Sequence, residues 1–287
     1  MDIDVSLVHR LLEAQFPRWS ELPVRPIESS GWDNAIYRLG TDLAVRLPRR
    51  KIAAHVEREH DWLPVLGPQL PLVTPVPLGK GVAGEGYPWH WTVCPWLTGE
   101  VAAVSPAEDM SQAAARLAGF IAALQAIDPS GGPVNQFRSG PLVTRDPVVR
   151  GAAALGRAAG TDLALAAWEA ALAAPAWTGG PVWMHGDLHP ANLLVEDGEL
   201  TAVIDFGLLG VGDPACDLMV AWTYLPPEPR RIFRDALAVD DATWARARGW
   251  AVQLGLRAAA YSSGNPLLGM VGRLTIAEVA ADYAQEI

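Results

Sequence analysis

The sequence predicts an α+β chain of two unequal lobes, and three observations carry that prediction. Short β-type runs broken by turns fill the first 95 residues. An apolar segment holding a proline and a glycine, Cys94-Pro95-Trp96-Leu97-Thr98-Gly99, then interrupts the pattern, as a hinge would. Ala- and Leu-rich segments of helical character follow it. The expectation is a small antiparallel-sheet N-lobe over 1–95 and a larger, mostly helical C-lobe over 96–287.

In order along the chain, residues 4–16 carry Leu7, Val8, Leu11 and Leu12 at helical spacing and read as a short amphipathic helix. Residues 24–29, 35–39 and 43–47 read as strands of an antiparallel meander, separated by Ser30-Gly31-Trp32-Asp33 and Gly40-Thr41-Asp42. A helix is expected over 53–66, ending near Gly67-Pro68, and two further strands over 73–78 and 89–93. Past the hinge, Ser105-Pro106-Ala107-Glu108 has the form of a capping box with proline at the first helical position. Leu117, Phe120, Ile121 and Leu124 form the buried stripe of the helix it opens. Helical segments start at Thr161, at Pro214 and at Asp240, and Asp197-Gly198 turns a hairpin between Asn192 and Asp205.

The chemistry concentrates in Val182-Trp183-Met184-His185-Gly186-Asp187-Leu188-His189-Pro190-Ala191-Asn192 and in Ala202-Val203-Ile204-Asp205-Phe206-Gly207. Asp187 can accept the proton of an attacking hydroxyl, while the amide oxygen of Asn192 and the carboxylate of Asp205 are hard ligands suited to Mg²⁺. His185 and His189 stand four apart around a carboxylate, but a zinc site of that pattern needs a helix, and Gly186 and Pro190 argue for a loop. His185 is expected to brace that loop. Asp187 and Asn192 share the spacing of the protein-kinase catalytic loop, and Asp205-Phe206-Gly207 matches the kinase metal-binding triplet. On these residues the chain resembles the aminoglycoside phosphotransferase family, kinase-like enzymes that phosphorylate hydroxyls of antibiotics and other small molecules.

The resemblance, which covers the chain from about Ile27 onward, implies a bilobed protein-kinase-like fold, Mg²⁺, and ATP or GTP as phosphate donor. It places Arg46, on the strand Leu43-Ala44-Val45-Arg46-Leu47, where kinases carry the lysine that holds the nucleotide phosphates, and Glu59 as its helix-borne partner. Arginine there substitutes a planar fork for a point charge. It further implies that the loop bearing Ser29, Ser30 and Gly31 covers phosphate, that the backbone of Pro95 and Leu97 meets the base, and that Asp217 braces the loop of Asp187. The alternatives are a macrolide phosphotransferase, a metabolic kinase of an amino alcohol or sugar, and, in another class, a nucleotide-binding pseudokinase, against which the intact Asp187, Asn192 and Asp205 argue. No Ala-Pro-Glu segment of the protein-kinase type is present.

Net charge is −10, with eleven acids against ten bases through residue 96 and twenty-one against twelve after it. No basic face for nucleic acid is expected, and no span or export signal points to a membrane. With two cysteines and no disulfide framework, the expected compartment is the cytoplasm. The acidic surplus, with Asp213, Glu228, Asp235, Asp240, Asp241, Glu278 and Asp282 as possible rim residues, favours an amine-bearing, cationic acceptor, aminoglycosides first. Trp222, Tyr224, Trp244 and Trp250 in the same region would suit a macrolide.

Overall fold

The computed structural model describes residues 3–27, 34–50, 53–155, 158–260 and 263–286; Ser29, Ser30 and Gly31 lie outside them. The chain forms two compact units, Met1–Pro68 with Val73–Thr98, and Gln69–Leu72 with Gly99–Ile287.

In the first unit, α1 (Val5–Gln15) begins where Asp4 accepts the Leu7 N–H at 2.8 Å, and its stripe of Leu7, Val8, Leu11 and Leu12 is buried. It packs into one core with Tyr37, Leu39, Val45, Leu47, Trp91 and Val93 of the sheet. The strands are β1 (Val24–Ile27), β2 (Asn34–Leu39) and β3 (Leu43–Pro48), then, after α2 (Ala53–Leu66), β4 (Gly79–Gly81) and β5 (Trp91–Pro95). All pairings are antiparallel, in the order β1-β2-β3-β5-β4, so β3 has a neighbour on each side. The strand expected over 73–78 is not formed. Pro75 and Pro77 lack the N–H that a ladder requires, and pairing moves on to Gly79–Gly81. Gly81 is needed there, because a Cβ on it would lie 2.0 Å from the Trp91 ring.

The second unit opens with β6 (Glu100–Val101) and α3 (Met110–Ala126). The helix starts later than the capping box at Ser105 predicts. Ser105 N–H closes a turn onto the Val101 carbonyl and Glu108 N–H is drawn to the Gly198 carbonyl, so Asp109 caps instead, accepting the N–H groups of Ser111 and Gln112. Next come α4 (Asp146–Leu155), α5 (Thr161–Ala173), β7 (Val182–Met184), β8 (Leu193–Glu196), β9 (Glu199–Val203) and β10 (Gly210–Gly212). Then follow α6 (Val220–Thr223), α7 (Pro227–Ala236), α8 (Asp241–Ala260) and α9 (Pro266–Tyr283). Helix α8 is buried over most of its length among α4, α5 and α9. Two small sheets, β6-β8-β9 and β7-β10, carry the polar motif residues. The β8–β9 hairpin turns at Asp197 and Gly198, both with positive φ (51° and 77°), as a two-residue type I′ loop requires. Among the described residues no helix is long and apolar enough to cross a membrane.

Both cysteines are buried. Burial pushes the Cys94 thiol up to about 11, with Arg46 opposing and Glu59 adding to the shift, and burial pushes Cys216 up as well. Neither thiol should therefore react with Ellman's reagent at pH 8 in the native protein, whereas both should in guanidinium. Rapid native labelling would contradict this packing.

Candidate active site

Strand β7 delivers the chain into the 185–192 loop. His185 is fully buried: its Nδ1 accepts the Asp187 N–H at 3.1 Å, which leaves the proton on Nε2 to be donated to the Ile204 carbonyl at 2.9 Å. Its ring stands edge-on to Phe206 with centroids 4.6 Å apart. Asp217, also buried, accepts the N–H of His185 at 2.6 Å and that of Gly186 at 2.8 Å. Burial pushes the Asp217 carboxyl up, only partly offset by His185, the two backbone donors and Arg138. Gly186 takes φ 84°, and a Cβ there would meet the Leu208 carbonyl oxygen at 2.4 Å. The glycine is thus what lets the loop lie against the stretch after Asp205-Phe206-Gly207.

The hairpin register brings the two candidate metal ligands together. Leu193 pairs with Val203, and the Ile204 N–H reaches the Asn192 carbonyl at 2.9 Å, so Asn192 and Asp205 flank one end of the ladder. Asn192 donates through Nδ2 to the Asp187 carbonyl at 2.9 Å, which orients Oδ1 as an acceptor on the other side of the amide. Asp205 adopts the left-handed conformation, φ 61° and ψ 69°, uncommon outside glycine, asparagine and aspartate. One amide oxygen and one carboxylate fit Mg²⁺, for which a protein supplies one or two ligands and leaves the rest of the octahedron to phosphate and water. Among the described residues no group of three or more His, Cys, Asp or Glu side chains gathers in a metal-holding arrangement.

Asp187 sits between an arginine and an imidazole. Arg138 donates from Nη2 to its Oδ1 at 2.7 Å, and His189 Nε2 lies 3.4 Å from Oδ2. Burial pushes this carboxyl up, but His189, Arg138 and His185 together outweigh it and hold it well below the usual carboxylate range. Arg138 was not legible as a site residue. It lies between Pro129-Ser130-Gly131-Gly132-Pro133 and Gly140-Pro141, with no motif around it, and its only signal is a lone cation in a turn-rich stretch.

In the first unit, Arg46 on β3 donates from Nη1 to both carboxylate oxygens of Glu59 on α2, at 3.0 and 3.1 Å. Glu59 is 3% exposed, and β3 is an inner strand; neither residue has the surroundings of a solvated surface charge. The more exposed Lys80 pairs instead with Glu57. Pro95 ends β5 opposite Leu43 and offers an acceptor only, while the Trp96 N–H is taken by the Asp42 carbonyl. Leu97 follows in irregular backbone.

Six of the seven acids expected to rim an acceptor pocket are engaged by neighbouring side chains. Asp213 pairs with Arg246, Glu278 and Asp282 with the buried Arg230, Asp241 with Arg234, and Glu228 with Arg231, while Asp240 binds Thr243 at the start of α8. Of the seven acids only Asp235 is left out of these bonds, exposed on α7. Trp222, Trp244 and Trp250 are core residues: Trp222 donates to Asp282 and packs on Trp244 at 4.5 Å. The Tyr224 hydroxyl accepts the Ala107 N–H. Packing α8 against α9 and burying Arg230, Arg246 and Arg248 recruits Asp213, Glu278 and Asp282 for internal pairing, whereas Glu228 and Asp241 pair at the surface.

Comparison with solved structures shows the same fold at low identity. The GDP and kanamycin complex of APH(2")-IIIa matches with a TM-score of 0.74 at 20% identity, covering 96% of this chain and 98% of that one. Macrolide 2'-phosphotransferase MphH from Brachybacterium faecium matches with 0.62 at 24% identity, over 95% and 97%. A thermostable mutant of aminoglycoside phosphotransferase APH(4)-Ia, in ternary complex with AMP-PNP and hygromycin B, matches with 0.66 at 17%, over 96% and 98%. A comparison with curated proteins found no match. The model of the phosphotransferase enzyme family, however, matches residues 23–250. That match runs from the first sheet strand into α8, and the chain belongs to the phosphotransferase enzyme family.

Proposed function

We propose that this phosphotransferase moves the γ-phosphoryl group of ATP or GTP, with Mg²⁺, to a hydroxyl of a small amine-bearing molecule. The observation that carries the reading is the convergence of Asp187, Asn192 and Asp205 at one end of the β8–β9 hairpin, with the loop between them fixed by His185 and Asp217. Asp187 orients the acceptor hydroxyl and takes its proton; the acceptor oxygen forms a bond to the γ-phosphorus as the bond from that phosphorus to the β–γ bridging oxygen breaks, and the nucleoside diphosphate leaves. Asn192 and Asp205 would hold Mg²⁺, which would supply positive charge against the phosphate oxygens. Arg46 supplies a further phosphate-binding cation, oriented by Glu59.

The paired acids shift the acceptor reading away from a polycation and toward a larger, mostly apolar molecule with few amines, of macrolide type. Supporting this, Val134 and Phe137 stand 74% and 49% exposed on the same segment as Arg138, which touches Asp187. The deciding experiment is a coupled nucleotide-turnover screen with kanamycin, hygromycin B, erythromycin and amino alcohols, ATP and GTP in parallel, with mass spectrometry of the acceptor. Transfer to erythromycin but not to kanamycin is expected. Mg²⁺-dependent nucleotide binding with no phosphorylated product from any of them would favour the pseudokinase reading.

Arg46→Lys should keep measurable turnover, since a point charge still meets phosphate, while Arg46→Ala should raise the nucleotide KM and lower kcat by roughly 10-fold or more. The alanine variant also removes this partner from buried Glu59 and should be less stable by a few kcal/mol. Normal nucleotide kinetics in a folded alanine variant would remove Arg46 from the site.

A further inference from the structure

Arg138 is 4% exposed, yet its charge is anchored at both ends: Nη2 to Asp187 Oδ1 at 2.7 Å and Nη1 to Gln253 Oε1 of α8 at 2.8 Å. Its guanidinium carbon lies 5.5 Å from the centroid of the Trp250 ring, and its Nε is buried without a hydrogen-bond partner. A buried donor left unsatisfied is costly, and an apolar side chain of equal volume would fill this place without that cost. What an apolar residue could not do is hold the Asp187 carboxylate.

The backbone that presents Arg138 is itself clamped. Asn135, fully buried, donates through Nδ2 to the Leu208 carbonyl at 2.7 Å and accepts the Phe137 N–H on Oδ1 at 2.8 Å. Its own N–H goes to Ser139 Oγ, and its carbonyl receives the N–H groups of Arg138 and Ser139, closing a single tight turn. The segment docks on β10, where the Val211 N–H reaches the Pro133 carbonyl at 3.0 Å. Two glycines allow that approach: a Cβ on Gly210 would lie 2.9 Å from the Pro133 oxygen, and one on Gly212 would lie 3.0 Å from the Ser139 Cα. Arg138 is therefore built onto the strand that follows Asp205-Phe206-Gly207.

We infer that Arg138 is a positioning residue: it fixes the Asp187 carboxylate by Oδ1, so that Oδ2 is the oxygen presented to the acceptor hydroxyl. Oδ2 is held more loosely, by Asn192 Nδ2 and His189 Nε2 each at 3.4 Å, against the 2.7 Å bond from Arg138 to Oδ1, which leaves Oδ2 the oxygen better placed to take an incoming O–H. The inference rests on the proposed role of Asp187, and the test separates the two.

The test measures Mg²⁺-nucleotide turnover with water, kanamycin and erythromycin as acceptors. Arg138→Met should lower kcat by roughly 10- to 10²-fold with the nucleotide KM within about twofold, and Arg138→Lys, which keeps the charge but not the fork, should recover part of the loss. Combined with Asp187→Asn it should add little, because both changes act on one carboxylate. A folded Arg138→Met protein with kcat within about twofold of wild type, or a loss fully additive with Asp187→Asn, overturns the inference while leaving Asp187 in place; full activity in Asp187→Asn alone removes both. If Arg138→Met fails to fold, Gln253→Met releases one anchor and should lower kcat several-fold at unchanged nucleotide KM; unchanged kcat there also overturns it.

Discussion

Asp187→Asn is expected to lower kcat by roughly 10²–10⁴-fold while nucleotide affinity stays within about twofold. The substitution is isosteric. The asparagine oxygen can still accept from Arg138, which sits 2.7 Å from Oδ1, so the amide nitrogen falls where Oδ2 was and offers a donor to a hydroxyl that must itself donate. The surrounding side chains hold the wild-type carboxyl well below the usual carboxylate range, so a charge is removed that Arg138 and His189 flank in the native protein. The loop itself should persist, because Asp217 holds it through the His185 and Gly186 N–H groups and the Asp187 backbone N–H is held by His185. Far-UV circular dichroism and a thermal melt check that, and kinetics check the rest. Activity within about twofold of wild type would take Asp187 out of the reaction.

What sequence exposes here is what local chemistry dictates. The Asp197-Gly198 turn demands positive φ at two successive positions, which fixes the hairpin register next to the turn; a bulge between Leu194 and Val195, with no local signal, then shifts it by one residue and sets Asn192 beside the strand end that leads to Asp205. The helix cap at Asp4 and the stripe of Leu7, Val8, Leu11 and Leu12 are equally local. The failures are tertiary. The run over 73–78 alternates apolar residues as a strand does, yet two prolines disqualify it, and the pairing passes to a glycine-flanked lysine with no strand propensity. Ser105 heads a well-formed capping box, but Glu108 N–H is claimed by Gly198, a partner 90 residues on that no local pattern announces. The C-terminal acids show the same effect more strongly. Counted along the chain they form a negative field, whereas in three dimensions the buried Arg230, Arg246 and Arg248 of α7 and α8 pair with Asp213, Glu278, Asp282 and Glu286. Arg138 reverses that error: an unremarkable arginine in a loop is carried to the Asp187 carboxylate by an asparagine turn and two glycines on another strand.

Asp205→Asn should abolish turnover by about 10³-fold or more and remove most of the Mg²⁺ dependence of nucleotide binding. Asparagine is the informative substitution because position 205 has φ 61° and ψ 69°, a conformation that asparagine adopts readily and alanine does not. The Asn variant should accordingly melt close to wild type. Asp205→Ala should lose activity to the same extent and also about 1 kcal/mol or more of stability, from backbone strain unrelated to metal. Asn192→Ala separates ligand from scaffold in another way. Its amide oxygen carries no charge, so Mg²⁺-dependent nucleotide binding should weaken less than in Asp205→Asn; its Nδ2 bond to the Asp187 carbonyl at 2.9 Å is lost, so kcat should fall further than the weakened metal binding accounts for. Nucleotide affinity titrated with Mg²⁺ and again in EDTA reads these effects apart from catalysis. A wild-type Mg²⁺ titration curve in the folded Asp205→Asn protein would exclude this carboxylate as a ligand, because no charge-neutral amide replaces an aspartate on a hard divalent ion without loss of affinity.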